Sequence, residues 1–130
     1  MSVLDAGAGT GTMCRMPMRI GGLELTAFEP STLMLQKLGC KPELSSVRIC
    51  QGFCDSLEDR SLFPPDYFDV IVSRQLANGL YDPLAAMGNW RHWLKPQGAV
   101  LLIDGFYSRS AWASLATDFA DWLPLAANQS

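Results

Sequence analysis

Val3–Gly11 reads VLDAGAGTG, an apolar run that ends in an aspartate and then alternates glycine with small residues. Glycine allows a backbone of positive φ and carries no Cβ to block close approach. A strand that runs into such a turn and opens a helix presents bare backbone to a ligand. In an open α/β sheet the turn lies at the carboxyl ends of the strands, near the switch point where ligands bind. The next apolar run, in GLELTAFEP, ends on Glu29. That acid comes about 20 residues after the turn, where a carboxylate accepts hydrogen bonds from ribose hydroxyls.

Two cofactor classes use this arrangement. The dinucleotide fingerprint is GxGxxG. Counted from Gly7 its three positions are Gly7, Gly9 and Thr12, so the last glycine is missing. Asp5 also stands just ahead of the turn. A carboxylate there opposes an anionic pyrophosphate and suits a cation. S-adenosylmethionine carries an ammonium and a sulfonium and no phosphate. Asp5 and Thr12 therefore favour it over a nicotinamide dinucleotide.

Working outward, strand-like runs alternate with helix signals. The strand candidates are Ser2–Asp5, Leu25–Phe28, Ser46–Cys50, Phe68–Ser73 and Ala99–Asp104. The last two are nearly continuous apolar runs, as in parallel strands covered on both faces. Ser31 and Gly39 bracket TLMLQKL as N-cap and C′ residue. Asp82–Pro83 opens a second helix with a capping acid and a proline at its first position. Met87, Trp90 and Leu94 share one side of it and predict that it lies on the sheet. Pro96 and Gly98 in KPQG are expected to end it and turn the chain into strand five. Ser110–Trp122 reads as a last helix with Leu115, Phe119 and Trp122 on one side. The helix after the glycine turn is the least regular, because Pro17 is costly in a helix interior. This alternation predicts an α/β fold with right-handed crossovers. We expect a Rossmann-like three-layer sandwich whose mainly parallel sheet carries helices on both faces.

The chain has 130 residues, 48% of them hydrophobic and 18% charged, which fits one globular domain over 1–130. The net charge is −3, and the ten Lys and Arg form no run, which argues against nucleic acid as the main partner, because phosphate binding wants a clustered positive face. No apolar stretch approaches the ~20 residues that span a bilayer. No basic region followed by an apolar run marks a leader, so a soluble cytoplasmic protein is expected. Cys14, Cys40, Cys50 and Cys54 form no CxxC pair, and His92 is the only histidine, which argues against a metal site. The cysteines are expected to be reduced, small hydrophobes. Tyr81 is expected to pack, His92 to be partly exposed on its helix, and the tryptophans to sit in the core or an interface.

Together these segments resemble the class I S-adenosylmethionine-dependent methyltransferases, of the small-molecule-acting type. VLDAGAGTG matches the first motif of that family, LTAFEPSTLML its second strand and ribose-binding acid, and FDVIVSRQLANGLYDPLAAMGNWRHWLKPQGAVLLIDG the stretch from strand four to strand five. The resemblance covers nearly the whole chain and implies a sheet of about five strands in the order 3-2-1-4-5. It implies that Asp5, Ala6, Gly7, Ala8, Gly9, Thr10 and Gly11 hold the methionine part of the cofactor. Glu29 would take the ribose hydroxyls, and Pro30 would lie near the adenine. After strand three the family usually has Gly-Asp. Here Gly52 matches, Phe53 stands in the place of the acid, Asp55 is its substitute, and Cys54 lends backbone. Ser73 and Arg74 would face cofactor and substrate.

Methyl transfer is an in-line displacement in which the protein mainly holds the nucleophile near the methyl carbon. A general base depends on the acceptor, and no residue here is named as one. The chain has no (N/D)PPY motif after strand four, so methylation of amino groups on DNA bases or glutamine is not supported. SRQLANGLYD also lacks the histidine pair found there in some relatives. The helices that precede the first motif in relatives, and their terminal β-hairpin, are expected to be missing from the fold. The expectation is a sheet without that hairpin, whose open fifth strand or Trp-rich C-terminal half favours homo-oligomers. Three readings remain: a methyltransferase with a small-molecule acceptor, a degenerate non-catalytic module that binds or interacts, and a nicotinamide-binding protein.

Overall fold

A computed structural model describes residues 1–11, 14, 22–74 and 80–103, apart from the side chains of Arg74 and Ile103. The expectations for Thr12, Pro17, Gln75, Asp104 and the helix at 110–122 fall outside the described residues.

Five strands form one parallel sheet: β1 (Ser2–Ala6), β2 (Glu24–Glu29), β3 (Arg48–Gln51), β4 (Phe68–Arg74) and β5 (Leu94–Ile103). Their order is β3-β2-β1-β4-β5, as the resemblance implied. β1 is central: Val3 pairs with Leu25 on one side and Val70 on the other. The chain steps outward through β2 and β3, then returns to place β4 against β1. The strand order reverses between β1 and β4, which opens the crevice where ligands of such sheets bind.

Side chains alternate across a strand, so β1 feeds two cores. Val3 joins Leu25, Ala27, Leu38, Leu44 and Val47 on one face. Leu4 and Ala6 join Phe28, Ile71, Met87, Trp90 and Trp93 on the other. Helix α1 (Thr32–Gly39) supplies Leu38 to the first core, and α2 (Pro83–Trp93) supplies the two indoles to the second. Helices therefore cover both faces. Phe28, Phe63 and Trp93 meet edge to face, with ring centroids 5.1–5.7 Å apart, within the range at which such pairs attract. Removing a buried indole of this kind costs about 3–5 kcal/mol. Among the described residues, Trp90 Nε1 and Ser73 Oγ are buried and find no hydrogen-bond partner.

The caps follow the sequence at the helix starts. Ser31 Oγ accepts from Met34 N–H at 3.3 Å, and Asp82 Oδ1 from Ala85 N–H at 3.1 Å with Pro83 in the first turn. The helix ends differ from expectation. Gly39 is the last helical residue, and right-handed Cys40 caps α1 through its N–H to the Gln36 and Leu38 carbonyls. No left-handed glycine is needed, because the chain continues into a 3₁₀ turn over Pro42–Leu44. Leu94 is not on the helix but is the first residue of β5, already extended and buried. Lys95–Gly98 make an irregularity inside β5: Phe68 pairs with Leu94, and Val70 already pairs with Ala99. Gly98 permits this, since an added Cβ would sit 2.8 Å from Leu94 Cδ2 and 3.1 Å from the Asp69 carbonyl. Leu101 on β5 is half-exposed.

At the amino ends of the strands, Asp69 Oδ2 accepts from Ser2 N–H at 2.7 Å, and Lys95 Nζ lies 3.2 Å away. These two contacts, the Ser2 hydrogen bond first, hold the Asp69 carboxyl below the usual carboxylate range. A lowered folded-state pKa contributes stability above the unfolded value, about 3.9, and that contribution is lost as pH falls below it. Asp69→Asn is accordingly expected to be less stable than the native chain in urea unfolding at pH 7, with the gap narrowing as pH falls through about 3.9 toward 3. A difference that is equal at both pH values would contradict this assignment.

Candidate functional site

The turn after β1 is built from left-handed glycines, with φ of 75° at Gly7, 58° at Gly9 and 89° at Gly11. Gly7 and Ala8 N–H both donate to the Phe28 carbonyl, at 2.7 and 3.1 Å. The turn thus hangs on the neighbouring strand. Glu29, the last residue of β2, reaches across: its Oε1 accepts from Gly9 N–H and its Oε2 from Ser31 N–H, both at 2.9 Å. Glu29 is only 9% exposed, so it is not a solvated acid at a helix start. Each carboxylate oxygen has two acceptor sites, so each keeps one beyond its backbone bond. Lys41 Nζ donates to the Thr10 carbonyl at 2.5 Å. Two charged side chains therefore hold adjacent polar groups of the turn.

Asp5 is 3% exposed behind the turn and accepts the Cys14 thiol hydrogen at 3.2 Å. Burial, and then the Asp5 charge, push the Cys14 thiol well above its usual range. The thiol therefore stays neutral and serves as a weak donor to Asp5.

A cavity of about 200 Å³ opens beside the turn, lined by Gly7, Phe28, Pro30, Gly52, Phe53, Cys54, Asp55, Leu80 and Tyr81. Gly7, Pro30 and Gly52 are the first residues after β1, β2 and β3, so the cavity lies at the carboxyl ends of three adjacent strands. Gly52 must be small: a Cβ there would stand 2.7 Å from Phe28 Cε1 and 2.9 Å from Leu62 Cδ1. Gly9 differs, because a Cβ there would meet nothing within 4 Å. Its open side is room for a ligand against bare backbone.

A family model for a methyltransferase domain matches residues 1–129. The chain belongs to that family. Solved structures share its fold. A proposed S-adenosyl-L-methionine-dependent methyltransferase from Methanococcus maripaludis superposes with a TM-score of 0.71 at 20% identity, over 95% of this chain and 56% of that one. A SAM-dependent methyltransferase from Aquifex aeolicus gives 0.71 at 21%, over 85% and 60%. The YcgJ protein of Bacillus subtilis gives 0.71 at 25%, over 94% and 51%. This methyltransferase domain thus spans between about half and three-fifths of the length of these relatives. No curated protein matches the chain.

Of the residues singled out in the sequence, Gly7, Pro30, Gly52, Cys54 and Asp55 line the cavity. Asp5, Ala6, Ala8, Gly9, Thr10 and Glu29 form the turn and its support without lining it. Gly11 serves packing, since a Cβ there would collide with Leu44 Cδ1 at 2.7 Å. Ser73 pairs with Ala6 and Leu102 inside the sheet, is fully buried, and does not line the cavity. Only the backbone of Arg74 is described. Tyr81 does not pack: it is 92% exposed at the cavity rim. Phe53, in the place of the usual acid, is half-exposed and lines the cavity, and its N–H donates to Asp59 Oδ2 at 2.8 Å. Asp55 Oδ2 is engaged by two backbone donors, Tyr81 N–H at 2.8 Å and Asp82 N–H at 3.1 Å. The acid after β3 thus clasps the entry to α2.

Sequence reasoning missed the interior support of this loop. Asn89 on α2 is fully buried and donates from Nδ2 to the carbonyls of Cys54 (2.9 Å) and Ser56 (2.8 Å). Its Oδ1 accepts from Arg60 Nε at 2.7 Å, and Trp93 Nε1 donates to the Arg60 carbonyl at 2.7 Å. The only sequence signal is an amide set among Met87, Trp90 and Trp93. Among the described residues no group of three or more His, Cys, Asp or Glu could hold a metal, and no helix is long and apolar enough to cross a membrane.

All four cysteines are free; Cys40 is exposed, and Cys14 and Cys54 are buried. Burial, reinforced by the Asp55 charge, pushes the Cys54 thiol up to about 12. Thiolates are the reactive form. A disulfide-exchange reagent at pH 8 is therefore expected to modify Cys40 promptly and Cys14 and Cys54 only after unfolding. Prompt labelling of Cys54 in the native chain would contradict its placement.

Proposed function

We propose that the chain binds S-adenosylmethionine across the turn after β1 and serves the transfer of its methyl group to a small-molecule acceptor, with S-adenosylhomocysteine as the leaving group. The observation that carries this reading is the union of the Gly7–Gly11 turn with Glu29 through the 2.9 Å Gly9 bond, beside a cavity walled by Gly7, Pro30 and Gly52. The residues present fit the cofactor. Gly9 offers bare backbone with open space before it. Glu29 keeps one acceptor site on each oxygen for ribose hydroxyls. The mainly apolar wall of Phe28, Pro30, Phe53 and Leu80 suits a flat base. Asp5 sets a carboxyl group under the turn, an acceptor that suits an ammonium and opposes a pyrophosphate. Asp5 is also what sets this reading above a nicotinamide dinucleotide.

The cofactor supplies a methyl group already activated on a sulfonium. The chain's own residues bind and orient. The glycine turn, held by Glu29 and Lys41, fixes one end of the ligand, and the Gly52–Asp55 segment fixes the other. Holding the reacting atoms near ~3–3.5 Å and in line is the larger part of such catalysis. No described side chain is assigned as a base.

Calorimetric titration with S-adenosylhomocysteine, the demethylated cofactor, tests the reading, with NADH as the competing ligand. Binding of the first and not the second is expected. Glu29→Gln presents a donor to one of two backbone N–H groups and should weaken binding by about tenfold to a hundredfold, the worth of one or two hydrogen bonds to a charged acceptor. No binding by the native chain at millimolar ligand would sink the proposal.

A further inference from the structure

We infer that Asn89 is a positioning residue for the cofactor cavity. It acts from the interior of α2 through the loop that carries Cys54 and Asp55. The inference rests on the reading that this cavity holds the adenosine half of the cofactor. Asn89 lies outside the cavity lining, yet both protons of its amide are used on the two carbonyls that flank Asp55, those of Cys54 at 2.9 Å and Ser56 at 2.8 Å. Its oxygen is held in turn by Arg60 Nε at 2.7 Å. The rotamer is therefore fixed at every polar atom, and the side chain is completely buried.

The direction of the Cys54 carbonyl has a consequence for the cavity. A trans peptide sets its C=O and N–H on opposite sides. With the Cys54 carbonyl drawn toward α2, the N–H of Asp55 in the same peptide is directed away from α2. The Asp55 carboxylate is meanwhile fixed by Tyr81 and Asp82 N–H. Phe53 N–H is taken by Asp59. Asn89 thereby sets the orientation of the peptide that joins two cavity-lining residues, Cys54 and Asp55, and anchors the next carbonyl, at Ser56, without lining the cavity itself. Gly88 makes room for the arrangement, because a Cβ there would lie 3.0 Å from Arg60 Nη2. The outer anchor of the same loop, Trp93 Nε1 on the Arg60 carbonyl, lies on the far side of Asn89 from the cavity residues in sequence and serves as the contrast.

The test uses the full chain and three proteins: native, Asn89→Asp and Trp93→Phe. Asn89→Asp preserves shape and the acceptor for Arg60 and removes both donors to the loop. S-adenosylhomocysteine and its 6-oxo (inosine) counterpart are titrated into each. For Asn89→Asp, affinity for the first is expected to fall at least tenfold, and the ratio of the two affinities to move at least threefold toward unity. Trp93→Phe should lower the melting temperature and leave that ratio unchanged. A merely structural role lowers both affinities alike, and an unchanged ratio in Asn89→Asp overturns the proposal. If Asn89→Asp does not fold, hydrogen exchange on ligand-free Asn89→Ser replaces it. At least tenfold faster exchange at residues 53–57 with unchanged β1 and β4 is then expected, and uniform acceleration overturns the proposal. A native chain that binds neither ligand refutes the cofactor reading itself, and with it this inference.

Discussion

The carboxylate of Glu29 is the constraint on which the site depends. One oxygen takes the Gly9 N–H and the other the Ser31 N–H. Ser31 in turn caps α1. A single buried acid therefore joins the turn after β1, the end of β2 and the start of a helix. Buried carboxylates are costly unless hydrogen-bonded. Glu29 is satisfied by backbone donors that the fold already had to accommodate, so its position is fixed before any ligand arrives. Lys41 holds the Thr10 carbonyl, two peptides further along the turn. The turn is thus preorganised from both ends, as a site that works by orientation requires.

The second wall of the cavity is organised from the other face of the sheet. Trp90 and Trp93 seat α2 against Leu4, Phe28 and Ile71. Once seated, α2 carries Asn89 and Trp93 to the loop after β3, and Asp55 returns the connection by clasping the residues that precede α2. The two halves of the site rest on separate cores, one under α1 and one under α2. They meet at Phe28: its carbonyl holds the glycine turn, and its ring leaves no room for a side chain at Gly52.

Much of this could be read from the residues alone. The strands, both helix starts, the glycine turn and Glu29 rest on local signals: an apolar run, a capping serine or aspartate, a proline in the first turn, a string of glycines. The strand order came from the family resemblance. What escaped reading depends on distance along the chain. Asn89 reaches its partners across 35, 33 and 29 residues, so no local pattern could announce it. Tyr81 looked like a packing aromatic, yet only its backbone is engaged. Leu94 fitted the apolar side of α2 but belongs to β5, because three and four residue spacing does not distinguish the last turn of a helix from a buried strand start. Gly39 fitted a left-handed cap, but a 3₁₀ turn follows and removes the need for one. Family membership adds the methyltransferase fold to this reading. The acceptor stands apart from it, since these relatives are longer than this chain.

The most direct test of the account is a crystal structure of the chain with S-adenosylhomocysteine. The account predicts the ribose hydroxyls on Glu29, the base between Phe28, Pro30 and Phe53, and the amino-acid end over the glycine turn toward Asp5. Ligand bound elsewhere, or Glu29 turned away from both Gly9 and the ribose, would contradict it.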